Sequence, residues 1–256
     1  MFFRALFIVC FCLLSTSILN AQSFGFGCFG FVGGYGGYSY QRYDPKGLND
    51  FLSDFNEIRS DSLVSPMENF GKAQGYRVGL NFFRAKVENF VLSTKGYYQS
   101  VTEKHESLEK FEAFTRSTSM KLELRNWAIG IDLGISVTKD ISWKVVDGAL
   151  HFNTVILTKT ENSTGSQTIV KKYRTESTTV GYTIGTGFIL EIIDEYFSIE
   201  GAAGYTFLSI ENLFDDDGTP FLNPPQTNQQ VSVKDNEFID AGGFNAVIQL
   251  NIGFPL

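Results

Sequence analysis

Residues 180–192 read VGYTIGTGFILEI, and the two faces of this stretch differ sharply. One carries Val180, Tyr182, Ile184, Phe188, Leu190 and Ile192; the other carries Gly181, Thr183, Gly185, Gly187 and Glu191. Side chains alternate across a strand, so this period of two marks a β-strand with one oily face. The same pattern recurs at 75–82, 127–135, 197–207 and 244–254. Two less regular runs, 90–101 and 143–159, and the stretch FGFGCFGFVGGYGGYSY at 24–40 bring the expected strands to eight. Aromatic parity switches near residues 28–29 and again near Asn126, which reads as a β-bulge at each place.

The second face decides which side of the sheet meets water. It is mostly Gly, Ala, Ser, Thr and Asn, with sparse charges such as Arg77, Lys95, Asp132 and Glu200. A soluble sheet carries Lys and Glu on its wet face, whereas the inside of a narrow membrane barrel needs small and polar residues and its outside needs oil. Connections alternate in length. Short turns fall at 84–89, 138–140 and 192–196; long polar segments follow the first, third, fifth and seventh strands. The first of these contains the helix-like LNDFLSDFNEI, and another is the charged EKHESLEKFEAF, read as a solvated loop that holds His105. Aromatics gather near both ends of the strands, as they do at the two lipid–water interfaces. The fold class expected is all-β: a closed antiparallel up-and-down transmembrane β-barrel of about eight strands. Closure is required because lipid offers no partner to an unpaired strand edge. Glycine in the first strand then faces a crowded interior or permits a bend, while the rings face lipid.

The first 21 residues carry a single charge, Arg4, an apolar run at 5–14, and Ala21 at a position suited to cleavage. This is the layout of a secretory signal peptide, 1–21, ahead of an outer-membrane β-barrel domain, 22–256. Its removal takes Cys10 and Cys12 and leaves Cys28 alone, so no intramolecular disulfide is expected. The formal net charge of −7 argues against nucleic acid as a partner.

The NAQ that ends the leader, the glycine–aromatic first strand followed by LNDFLSDFN, and the closing AVIQLNIGFPL resemble small outer-membrane β-barrel proteins of the Bacteroidota type. The resemblance is one of pattern and brings no catalytic motif. It implies membrane lipid as surroundings, and barrel-assembly and periplasmic chaperone machinery as partners. An extracellular partner, unidentified, is implied by the long loops. The terminus departs from the commonest outer-membrane pattern, a final Phe: Phe254 is followed by Pro255 and Leu256.

The chemistry-bearing residues are few. Arg77, Lys95, Asp132, His151 and Glu200 are expected inside the barrel, as ion-pair or pore lining, with Arg77 and Lys95 set against Asp132 and Glu200. His151 with Asp147, Asn153 and a serine could be a hydrolase site, or simply part of an interior hydrogen-bond network; no GxSxG, HExxH or P-loop supports the former. Asp215-Asp216-Asp217-Gly218 lacks the spacing of a calcium loop. No cofactor or metal is expected, and no enzyme activity. Eight strands usually leave an interior that side chains fill, which favours a plugged core. A narrow channel for a small solute, a lipid-modifying enzyme and a secreted soluble barrel with an inward oily face remain as alternatives.

Overall fold

The computed structural model describes residues 22–23, 33–193, 196–222, 237–239 and 242–253. The expected signal peptide at 1–21, Cys28, the parity switch at 28–29 and the last three residues lie outside the described residues. Eight strands close a barrel: β2 (Gly33–Arg42), β4 (Lys72–Val87), β5 (Phe90–Lys110), β6 (Thr115–Ser136), β7 (Ile141–Ser163), β9 (Thr179–Ile193), β10 (Phe197–Phe207) and β11 (Gly243–Gly253). Each pairs antiparallel with the next, and β11 pairs β2. Short strands add to them: β1 (Gln22–Ser23) on β4, β3 (Leu63–Ser65) on β5 and β8 (Ile169–Arg174) on β7.

The register climbs as it goes round. From Gly33 it passes through Asn81, Lys95, Gly130, Ala149, Thr183 and Thr206 to Gly243. The pair Asn245–Gln41 then sets Gly243 opposite Tyr43, ten residues beyond the start. A stagger of this size over eight strands tilts them by about 40° and leaves an interior only as wide as its side chains. Glycine makes room there: a Cβ on Gly79 would overlap the ring of Tyr35, which lies across the interior.

The wall is oily outside. On β6, Trp127 is 65% exposed, Ile129 60% and Ile131 53%, whereas their neighbours Ala128, Gly130 and Asp132 point inward. Comparable residues on every barrel strand, from Tyr38 and Val78 to Phe188, Tyr205 and Ile248, form a continuous apolar belt.

At Asn126 the expected bulge is absent: β6 runs in unbroken register with β5 from Ile135 to Thr115. Parity switches there because the surroundings change. Beyond Asn126 the inward side chains are Leu124, Leu122 and Met120, all buried, and the outward ones are Arg125, Glu123 and Lys121. The outer third of the sheet therefore has the polarity of a soluble protein. EKHESLEKFEAF is likewise no long loop. β5 continues to Lys110 and β6 begins at Thr115, so His105 lies on a strand and only a tight connection separates the two. Charges on both faces hide the period: Lys104 and Glu106 point to solvent, while Glu109 is buried and paired with Arg59 at 2.9 Å. The polar stretch after β7 similarly folds back as β8.

The helix α1 (Lys46–Ile58) packs into this outer region. Leu48, Leu52 and Phe55, at the spacing of one helix face, are buried; Leu48 and Leu52 join Val101, Met120, Leu122, Leu157, Leu213 and Phe238 in one core, and Phe55 packs under the Arg59 guanidinium. Two helix amides hold the returning chain. Asn49 donates to the Phe70 carbonyl and accepts from its N–H at 3.0 and 2.9 Å; Asn56 does the same with Met67 at 2.9 and 3.0 Å. Tyr43 donates its hydroxyl to Glu103 at 2.7 Å, and burial followed by that carboxylate pushes the Tyr43 pKa well above its ordinary value.

Truncating Leu52 to Ala should cost the outer core about 2–5 kcal/mol, seen as faster hydrogen exchange in α1 with the barrel strands still protected. Tyr43→Phe should cost about 1–2 kcal/mol at neutral pH. Because the folded pKa lies above the unfolded one, the contribution of this bond is complete below about pH 10 and is lost as pH rises further. Unfolding curves of the two forms should therefore converge in strong alkali.

Candidate functional site

Below the outer core the interior is polar, and the structure places all five expected residues in it: Arg77, Lys95, Asp132, His151 and Glu200 are each buried. They do not form one group. Lys95 Nζ lies 2.8 Å from Asp132 and 2.7 Å from Asp147, and Lys144 Nζ lies 3.1 Å from Asp132, 2.8 Å from Asp147 and 2.5 Å from Glu200. Two ammonium groups and two carboxylates thus alternate in a closed ring, with Glu200 attached through Lys144. Asn251 donates to the other oxygen of Glu200 at 3.5 Å and to the Ser198 hydroxyl at 3.2 Å.

Arg77 stands apart, a correction to the expected pairing with carboxylates. Its Nε and Nη2 donate to Gln99 Oε1 at 3.0 and 2.8 Å, and its guanidinium lies 4.1 Å from the centre of the Tyr97 ring. Ser39 donates to the same Gln99 oxygen at 2.8 Å. His151 contacts Tyr97, with Nε2 3.3 Å from the hydroxyl and the rings edge to face. Its nearest hydrogen-bonding side chain among the described residues is thus a phenol, not a serine. Counted together, Lys95, Lys144 and Arg77 balance Asp132, Asp147 and Glu200. Such balance is what a low-dielectric interior demands of buried charge.

Lys144 was missed for a reason visible in the strand. Residues 144 and 147 cannot face the same way in a regular strand, since they are three apart. In the barrel both point inward, because the β7–β6 register skips between Leu133 and Gly134 and the β7–β9 register skips between Lys144 and Asp147. Val145 and Val146 are both turned out, 41% and 39% exposed. This bulge delivers two charged groups to the ring from one strand. An apolar pair in sequence, flanked by a lysine and an aspartate in an otherwise alternating run, is the mark it leaves.

The two ends of the interior differ. At the short-turn end a vestibule lined by Arg84, Ser93, Ser142, Ser198 and Asn251 reaches Asp132, Lys144 and Glu200. Arg84 and Glu191 pair across it at 3.3 Å. At the other end the polar interior stops against the outer core and α1. The run at 215–218 is a turn tied to β8: Asp215 accepts from the N–H of Asp217 and of Thr219, and Asp216 pairs with Arg174.

No family model matches the sequence, and no curated protein matches it. Among solved structures the chain is similar to Ail, the attachment invasion locus protein of Yersinia pestis, described in complex with the heparin analogue sucrose octasulfate. The two share 9% identity over 87% of this chain and 97% of that one, with a TM-score of 0.37. It is also similar to the outer membrane protease OmpT from Escherichia coli (9%, 94% and 100%, 0.42) and to Neisserial surface protein A (9%, 86% and 97%, 0.31). Likeness at this level says nothing about what the chain binds or does.

Removing one partner from the ring should be costly because the others stay buried. Lys144→Met should destabilise the folded barrel by about 3–5 kcal/mol, read as a lower urea midpoint in detergent micelles. Exchanging the outward Val146 for Leu should change it by under about 1.5 kcal/mol.

Proposed function

We propose that the chain is an integral outer-membrane barrel, closed at its outer end and non-enzymatic, of the small kind its sequence resembles in Bacteroidota-type bacteria. Its outer region makes contacts at the cell surface. One observation carries this reading: the polarity of the barrel is inverted, with a continuous exposed apolar belt around a buried, charge-balanced interior. In water that belt would be an aggregation surface far larger than a soluble monomer tolerates. In a bilayer it is the surface that lipid requires.

The plugged state is favoured over a channel by the contents of the barrel. An open water path needs polar lining from end to end, and here the path from the short-turn vestibule meets Tyr97 and Arg77, then the outer core under α1. Against an enzyme stands the engagement of the candidate base: His151 is buried against Tyr97, away from both mouths.

Fractionation of cells that express the full chain tests the location, and gel mobility of boiled and unboiled extract tests closure. The expected result is recovery in the outer-membrane fraction with a heat-dependent shift; a soluble protein lacking the shift would sink the membrane reading. Planar-bilayer recordings then separate plug from pore. Steady single-channel steps from the wild-type chain would overturn the closed state, whereas steps appearing only when α1 is deleted would support it.

A further inference from the structure

The strip of wall just beyond the aromatic girdle on β2, β4, β5 and β6 has a charge opposite to that of the chain as a whole. Arg42, Lys72, Lys104, Lys121 and Arg125 all point outward there; the first four are exposed and Arg125 is half-buried. The chain carries a net −7, yet among the described residues the only outward carboxylate within this strip is Glu123; Glu103, beside Lys104, is turned inward and accepts from the N–H of Gly71 and of Lys72. Lys121 and Arg125 both hold Glu123, at 2.8 and 3.0 Å. Arg42, Lys72 and Lys104 have no ion-pair partner among the described residues. Acids resume one step further out, with Asp44 beyond Arg42 and Glu106 beyond Lys104.

The register makes the arrangement costly for the protein alone. Arg42 stands directly opposite Lys72, and Lys104 directly opposite Lys121. Like charges facing each other across adjacent strands destabilise the pair, and here two such pairs occur on four consecutive strands. An anionic partner from outside the chain removes that cost.

Position says which partner. The girdle beneath is a run of rings in contact: Tyr76 with Tyr98 at 6.2 Å between centroids, and Tyr98 with Trp127 at 5.0 Å, beside Tyr38. Arg125 lies two residues out from Trp127; Arg42 and Lys72 lie four out from Tyr38 and Tyr76; Lys104 and Lys121 lie six out from Tyr98 and Trp127. At strand rise and barrel tilt these steps are about 5, 10 and 15 Å along the axis. Lysine and arginine stems can reach several ångströms back toward the interface, so the charges span the depth at which headgroup phosphates sit.

We propose that this strip binds the phosphates of a phosphorylated glycolipid in the outer leaflet, a conclusion that rests on the outer-membrane reading above. The glycolipid's acyl chains lie on the belt at Val78, Tyr98 and Ile129, and its phosphates are held by the two like-charged pairs. The site is one-sided, facing a defined sector of lipid on the β2–β6 wall.

The test uses the full chain folded into phosphatidylcholine vesicles that contain either bisphosphorylated lipid A or the same lipid with its phosphates removed. Detergent extraction and native mass spectrometry read how much lipid stays bound. The wild-type chain is expected to retain bisphosphorylated lipid A about tenfold or more above the dephosphorylated form. R42Q/K72Q/K104Q/K121Q should lose that preference while keeping the heat-dependent gel shift that reports a closed barrel. Equal retention of the two lipids by a folded wild-type chain would overturn this inference and leave the membrane reading standing. Undiminished preference in the folded quadruple variant would do the same. Displacement of lipid A by millimolar inorganic phosphate would overturn it in favour of a soluble anion. Failure of the wild-type chain to enter vesicles or to show the shift would overturn both readings.

Discussion

Backbone hydrogen bonding in a medium with no water is the constraint from which the rest of the structure follows. Every strand needs two neighbours within the apolar belt, so the sheet has to close, and the β11–β2 pairing does so. Closure with a ten-residue stagger sets the bore, and the bore sets the composition of the inner wall. Glycine stands where Tyr35 crosses, and long polar chains fill what is left. The charges in that bore then have to cancel, since neither lipid nor bulk water is at hand to solvate them. The ring of Lys95, Lys144, Asp132 and Asp147 answers this within one layer of the barrel.

Period-two alternation and connection lengths were enough to read the closed all-β barrel, its short turns and the helix in the first long connection. Those features come from local rules: side chains alternate, turns are polar, and an apolar face with i, i+4, i+7 spacing buries. The outer third was misread because the same rules operate there with the solvent reversed. A parity switch at Asn126 resembled a fault in the strand when it was a change of medium, and the charged β5–β6 extension resembled a loop because both of its faces carry charge. Of the interior residues, those on regular strands were legible from face alone. Lys144 was hidden by a bulge, and the partner of Arg77 could not be read, since opposite charges in one face pattern do not say which pairs meet. Gln99, a neutral side chain, holds that guanidinium.

The molecule thus contains two cores of opposite sense stacked along one axis. In the lower one, oil is outside and charge inside; in the upper one, Leu48, Leu52, Leu122 and Phe238 are inside and Lys104, Lys121 and Glu123 outside. The strands β5, β6 and β7 run through both, and the layer between them is polar: Ser39 donates to Gln99, Asn245 donates to the Thr206 hydroxyl, Thr183 and Thr206 share a hydroxyl bond, and Asn153 donates to the Thr179 carbonyl.

Strand length is uneven round the barrel: β5, β6 and β7 have 21, 22 and 23 residues, whereas β2, β10 and β11 have 10, 11 and 11. Among the described residues the sheet is therefore tall at β5–β7 and low at β2, β10 and β11. A wall of unequal height presents a tall face to one neighbour in the membrane plane and a low one to another, so positions round the barrel are not equivalent.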